Sequence, residues 1–166
     1  SCALARLDSK TKNAVLVAMA DELIVRLPDI LEANAADVAE AENNGLTKAS
    51  IDRRRLSEKR VADMADGIRQ VAALPDPVGE ILRDWTQPNG IHLQKIRTPI
   101  GVIGIIYESR PNVTADAAVL CIKTGNALAE CGLKCGCAVL QAAKLFKIAK
   151  QRLHPVFARE HKGCKS

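Results

Sequence analysis

The stretch "YESRPNVTAD", residues 107 to 116, gathers the side chains best suited to chemistry. Arg110 offers a guanidinium fork that matches a phosphate or a carboxylate. Asn112 carries an amide N–H of the kind that stabilises a developing oxyanion. Thr114, with the unpartnered amides at the start of a following helix, adds a further anion contact. The same residues also fit a structural turn in which Glu108 pairs with Arg110 and Asn112 caps the next helix. Spacing alone leaves both readings open, because polar loops at strand ends are common.

The other candidates are six cysteines: Cys2, Cys121, Cys131, Cys135, Cys137 and Cys164. Cys131, Cys135 and Cys137 have Cys-x3-Cys-x-Cys spacing, not paired Cys-x2-Cys knuckles. His154 and His161 lie too far apart for the usual zinc pattern. Incidental reduced thiols fit better than a metal site, since an unpaired cysteine behaves as a small hydrophobe. The phosphate-cradling signatures G-x-G-x-x-G and G-x4-G-K-[ST] are both missing.

Several elements must position the polar turn. Apolar Leu16, Met19, Leu23 and Leu27 recur at helical spacing and predict a helix over 10–27, capped by Ser9 and broken by Pro28. "DILEANAADVAEAENNG" predicts a second helix, stopped at Asn43-Asn44-Gly45. Ser57 opens a third, with Val61, Met64, Ala65, Ile68 and Val71 on one face, and the prolines of "LPDPVG" end it. "EILRDWTQ", "PNG" and "IHLQKIR" read as a β-hairpin. After Pro99, "IGVIGIIY" is apolar on both faces, the pattern of a parallel strand covered by helices on each side. Thr114 is placed to cap the helix "ADAAVLCIK", Gly125 to close it, and "NALAEC" to form a second strand despite Glu130. Residues 138–153 read as a last helix, with Val139, Ala142, Phe146, Ala149 and Leu153 on one stripe. The fold class is therefore α/β.

A hydrophobic content of 48% excludes a disordered chain, and aromatics at 2% leave the core to aliphatic residues. No apolar run approaches the roughly 18 residues of a membrane span. The start lacks a secretion signal, and the missing initial Met points to a natural beginning upstream of Ser1. From Cys137 onward, seven basic residues face Glu160 alone, so the net charge of +5 resides in the tail while the body is nearly neutral. A solvated helix face explains this better than an anionic partner, because stacking aromatics are scarce.

"RTPIGVIGIIYESRPNVTADAAVLCIKTGNA" resembles, nearly residue for residue, the γ-glutamyl phosphate reductase (glutamate-5-semialdehyde dehydrogenase) family of the aldehyde dehydrogenase superfamily. "KNAVLVAMADEL", "ILEANAADVAEAENNGL" and "LPDPVGEI" are similar to it as well, so the resemblance covers about residues 3–127. It implies an aldehyde-dehydrogenase-like architecture of N-terminal helices, a β-hairpin and the start of a Rossmann-like parallel sheet. Residues 1–137 would be the helical and NADP-binding portion, and 138–166 a diverged basic helical tail. By the same likeness Tyr107, Glu108, Ser109 and Lys134 contact NADP(H), and Asn112 stabilises the oxyanion. Arg110 as the substrate-phosphate contact is an inference from charge.

The implied activity is NADPH-dependent reduction of γ-glutamyl phosphate to glutamate 5-semialdehyde in proline biosynthesis. It would proceed in the cytoplasm, in a homo-oligomer, with no nucleic-acid or membrane partner. The family's nucleophilic cysteine lies in a later domain, and no cysteine here has a matching context. A non-catalytic module pairing through the hairpin strand at 91–97 is the alternative. Binding of nucleic acid through the tail is a third reading, which would demand steep salt dependence.

Overall fold

In the computed structural model, which describes residues 2–107 and 111–132, a layer of helices precedes a β-hairpin and a parallel strand pair. The helices are α1 (Cys2–Ala5), α2 (Ser9–Val25), α3 (Leu27–Asn43), α4 (Lys48–Arg54) and α5 (Glu58–Ala73). The hairpin is β1 (Ile81–Thr86) with β2 (His92–Ile96), and a β3 (Val102–Tyr107), α6 (Pro111–Lys123), β4 (Ala127–Gly132) unit follows. The expected helix over 138–153, the basic tail and the Cys135–Cys137 pair lie outside the described residues.

The helix boundaries follow local chemistry. Asp8, not Ser9, caps α2, its carboxylate accepting from the Thr11 amide at 2.7 Å. A carboxylate serves the positive end of a helix better than a hydroxyl, and the Ser9 hydroxyl instead donates to Asp76 at 2.7 Å. The first helix does end ahead of Pro28, at Val25, and Pro28 falls in the first turn of α3, where its missing N–H costs nothing. Gly45, at φ 70°, ends α3, with Leu46 N–H donating to Ala41 O and Gly45 N–H to Glu42 O. That reciprocal pair is a Schellman closure, as Asn43-Asn44-Gly45 predicts. Thr47 caps α4 and Ser57 caps α5 through their side chains.

The core is aliphatic and sits between α2, α5 and α6. Leu16, Ala20 and Leu23 of α2 pack with Val61, Ala65 and Ile68 of α5 and with Ala118, Val119 and Ile122 of α6. Val38, Ala41 and Ile51 form a smaller cluster between α3 and α4.

The hairpin forms as the sequence predicts, Asp84 facing Gln94 and Trp85 facing Leu93 across antiparallel strands. Its turn is closed by Gln87 N–H donating to Ile91 O at 2.8 Å, with Gly90 at φ 86°. Strands β3 and β4 are parallel, Val102 opposite Ala127 and Tyr107 opposite Gly132. The expectation that β3 is covered on both faces is corrected. Val102 (60% exposed) and Ile106 (71%) face outward, while Ile103 and Ile105 are half-buried. Among the described residues, helices cover only one side of this pair.

One buried lysine ties the unit to the helical layer, and a second ties α2 to the segment after α5. Lys123, at the end of α6, donates to Asn13 Oδ1 at 2.7 Å and to Ala72 O at 2.9 Å. Lys12 on α2 pairs with Asp76, just after α5. Both lysines are buried, and burial lowers the Lys123 pKa, an effect that Asp76 opposes and Lys12 reinforces. Burial pushes Asp76 upward, but hydrogen bonds from Lys12, Ser9 and the Val78 amide outweigh it and hold the carboxyl below its ordinary range.

A carboxylate with a depressed native pKa contributes stability that is present at neutral pH and lost as the pH falls through the acid range. Asp76→Asn, which leaves the Lys12 ammonium buried without its counter-charge, should therefore cost about 3 kcal/mol at neutral pH. Urea melts of both proteins check this, and the gap should narrow below about pH 4, where the wild-type carboxylate begins to protonate.

Candidate functional site

The polar turn sits where β3 hands over to α6, but the helix begins earlier than the sequence predicts. Pro111 opens it, since a fixed φ and an absent N–H suit a first helical position. Thr114 is therefore inside the first turn and not a cap. It is buried, and its hydroxyl is hydrogen-bonded to the Tyr107 hydroxyl. This contact pins the carboxyl end of β3 to the amino end of α6 and removes Thr114 from the candidate anion contacts.

Tyr107 is thus half-buried at the end of β3. Asn112, one turn from Thr114's neighbours on α6, is exposed and faces Asp116 at 3.5 Å. That separation is long for a hydrogen bond, so the amide N–H remains largely available. Glu108, Ser109, Arg110 and Lys134 lie outside the described residues. Of the predicted site, the structure brings together Tyr107 and Asn112 on one strand–helix junction.

The carboxyl end of a parallel strand followed by a helix start is the usual ligand-binding end of an α/β sheet. The β3–α6–β4 unit has that arrangement, and Tyr107 stands at the carboxyl end of β3. The other strand ends are anchored behind it. Asn126 is buried, accepts from the Gly101 amide at 2.8 Å and donates to the Thr124 hydroxyl at 2.8 Å. Gly125, at φ 71°, has the Pro99 side chain 3.1 Å from where a Cβ would stand. A side chain there would be both strained and crowded.

Beside Asn112 opens a cleft of ≈ 510 Å³ that sequence reasoning missed. One wall is Arg53, Arg55 and Arg60 from α4, α5 and the loop between them. The opposite wall is Pro111, Asn112 and Asp116 of α6, with Leu56, Met64 and Asp63 completing the lining. Asn34 holds the loop, donating to Arg54 O at 2.9 Å and accepting from the Leu56 amide at 2.7 Å. Asp116 reaches solvent, yet the surrounding protein raises its pKa, with the Asn112 amide working weakly the other way. The triple "RRR" at 53–55 was the only signal in the sequence. Nothing local in the sequence says that α6 faces it.

Cys121 is buried, 4% exposed, on α6, so it has no route to a substrate. Among the described residues no group of His, Cys, Asp or Glu is placed to hold a metal ion. No helix among them is long and apolar enough to cross a membrane.

No family model matches the chain. It is 55% identical over 120 residues to a γ-glutamyl phosphate reductase of Brucella anthropi, an alignment covering 72% of this chain and 28% of that protein. A γ-glutamyl phosphate reductase of a Thermoanaerobacter species is 59% identical over 125 residues, covering 75% of this chain and 30% of its own. Among solved structures, the γ-glutamyl phosphate reductase of Thermotoga maritima superposes with a TM-score of 0.83 at 35% identity, over 90% of this chain and 36% of that one. The Saccharomyces cerevisiae enzyme superposes at 0.85 with 30% identity, over 92% and 39%. The chain spans under a third of the curated relatives it matches, and over the shared part its fold is theirs.

The Tyr107–Thr114 bond is a local pin, and Tyr107→Phe should cost about 1 kcal/mol while leaving the fold intact. Asp116 carries the opposite sign: a carboxyl with a raised native pKa favours folding at low pH and opposes it as pH rises through that pKa. Asp116→Asn should thus be as stable as the wild type or more so at neutral pH, with the advantage vanishing in acid. Thermal melts over a pH series check both.

Proposed function

We propose that this chain is the amino-terminal part of an NADPH-dependent reductase that converts γ-glutamyl phosphate to glutamate 5-semialdehyde in proline biosynthesis. The single observation that carries this reading is the 55–59% identity to γ-glutamyl phosphate reductases over 72–75% of the chain. An aldehyde-dehydrogenase-like design, a cytoplasmic location and a homo-oligomeric whole follow from the same reading. So does the partition at residue 137 between a cofactor-binding portion and a basic tail.

The chain's own residues supply positioning. Asn112 directs its amide N–H at the γ-carbonyl oxygen as charge develops there, the kind of contact worth several kcal/mol in a transition state. Tyr107, Glu108, Ser109 and Lys134 contact the nucleotide, as the resemblance implies. Arg110 meets the phosphate that leaves. NADP(H), when bound, supplies the hydride that reduces the acyl group to the aldehyde. The nucleophile is a cysteine thiolate that attacks the γ-carbonyl carbon as the bond to phosphate breaks, leaving a thioester for reduction. Cys121 is excluded from that role by burial.

A second reading, a non-catalytic assembly module, is favoured by the hairpin, where Ile81, Leu82, Ile91 and Ile96 are 44–54% exposed. Sedimentation decides its weight: a chain that stays monomeric at high concentration has no use for that surface.

The enzymatic reading is tested on the protein purified from its native source. Glutamate 5-semialdehyde and phosphate should together drive NADP⁺ reduction, the reverse of the proposed reaction. Asn112→Ala should lower kcat about 10²- to 10³-fold with little change in nucleotide affinity. Absence of any phosphate-dependent turnover would remove the proposal.

A further inference from the structure

We propose that the cleft between the α4–α5 loop and α6 binds the α-amino-acid head group of a glutamate derivative. Arg53 and Arg60 take its carboxylate and Asp116 its ammonium. The ligand's identity rests on the functional reading above, whereas the site rests on geometry.

The two walls of the cleft carry opposite charge. Arg60 is fixed in place, its Nη1 donating to Asp52 O at 3.0 Å and to Arg55 O. Its Nε and Nη2 donors are uncommitted among the described residues. Arg53 is exposed and has no hydrogen bond or ion pair among the described residues. Arg55 is partly engaged by Glu42 at 3.6 Å, and Asp63 is satisfied by Lys59 at 2.8 Å. That leaves two guanidiniums on one wall and Asp116 on the other, without an ion pair between them. Asn34 holds the loop beneath the arginines, and α6 is fixed at both ends, so the walls cannot close on each other.

A fixed positive wall facing a fixed negative one suits a zwitterion, not a simple anion. An inorganic phosphate or a dicarboxylate would satisfy the arginines but bring a like charge to Asp116, which costs binding. An α-amino acid offers both signs on one carbon. The space between the walls is floored by Leu56 and Met64, which suits methylenes. Asn112 lies one helical turn before Asp116, so a short acyl chain anchored at Asp116 brings its far carbonyl to the Asn112 amide. A volume of ≈ 510 Å³ admits a ligand of this size. Asp116, already pushed towards protonation, gains its partner only when the ammonium arrives. The proposed site therefore sets which substrate is accepted and places its γ-carbonyl.

The test is an NMR titration of this chain, reading the arginine Nε–H and asparagine side-chain signals, with L-glutamate as the probe. Glutarate, which lacks the ammonium, and 4-aminobutyrate, which lacks the α-carboxylate, run in parallel. L-Glutamate should give saturable shifts confined to Arg53, Arg60 and Asn112, and each analogue should bind about tenfold more weakly or worse. Arg53→Gln should lose about tenfold for L-glutamate, and Asp116→Asn should make L-glutamate and glutarate equivalent. Both positions are exposed, and amide dispersion checks that the variants fold.

Shifts outside the cleft, no saturable shifts, or equal binding of glutarate to the wild type would overturn the proposal. Loss of the cleft result with phosphate-dependent turnover intact sinks this inference alone. Cleft binding without turnover sinks the functional reading alone.

Discussion

The position of α6 depends on one ammonium group. Lys123 spends its donors on Asn13 of α2 and on the carbonyl of Ala72 at the end of α5. The last carbonyls of a helix have no internal partner and carry its negative pole, so a cation there is favourable twice over. Aliphatic contacts from Ala118, Val119 and Ile122 would hold α6 against the helical layer without choosing a depth or rotation. The lysine chooses both. Removing a charge from water is costly, and a buried charge is better evidence of a specified geometry than of added stability. What it specifies here is where the other end of α6 falls, beside Arg53 and Arg60.

The amino end of α6 has its own constraint in the Tyr107–Thr114 bond. Between these two anchors the helix has no freedom to slide, and Asn112 and Asp116 inherit that rigidity. The opposite wall is held in the same manner by Asn34, which donates to the Arg54 carbonyl and accepts from the Leu56 amide at the α4–α5 loop. Groups that must meet a substrate in a set geometry are best carried on backbone fixed by other interactions. The helical layer thus has a purpose beyond supporting a sheet: it presents half of a cleft to the strand–helix junction.

Much of this frame was legible in the sequence because it depends on local chemistry. The Asn43-Asn44-Gly45 stop, the Ser57 cap and the Pro88-Asn89-Gly90 turn each work within four or five residues, and each forms as read. The errors share a cause. Ser9 and Asp8 are both good caps, and Asp76, 67 residues away, decides between them. Thr114 looks like a cap until Pro111 opens the helix three residues sooner. Helix α4, at seven residues, is too short to show a hydrophobic period. The cleft was invisible because Arg53 and Asp116 are neighbours only after α6 has docked. The family-level fold was readable from one long string, but Glu108, Ser109, Arg110 and Lys134 keep their roles as proposals.

The chain divides chemistry in a way its cysteines make plain. A thiol that is to attack an acyl phosphate must be ionisable and reachable. Cys121, buried on α6, is not exposed for that, and α6 docks on α2 and α5 through Ala118, Val119 and Ile122. Helix α6 offers a docked face, an amide at its first turn and a carboxylate one turn on. The face of the parallel pair that carries Val102 and Ile106 is exposed, uncovered by helices among the described residues. A binding surface made rigid by buried lysine and asparagine contacts can be joined to a catalytic group from elsewhere without being rebuilt.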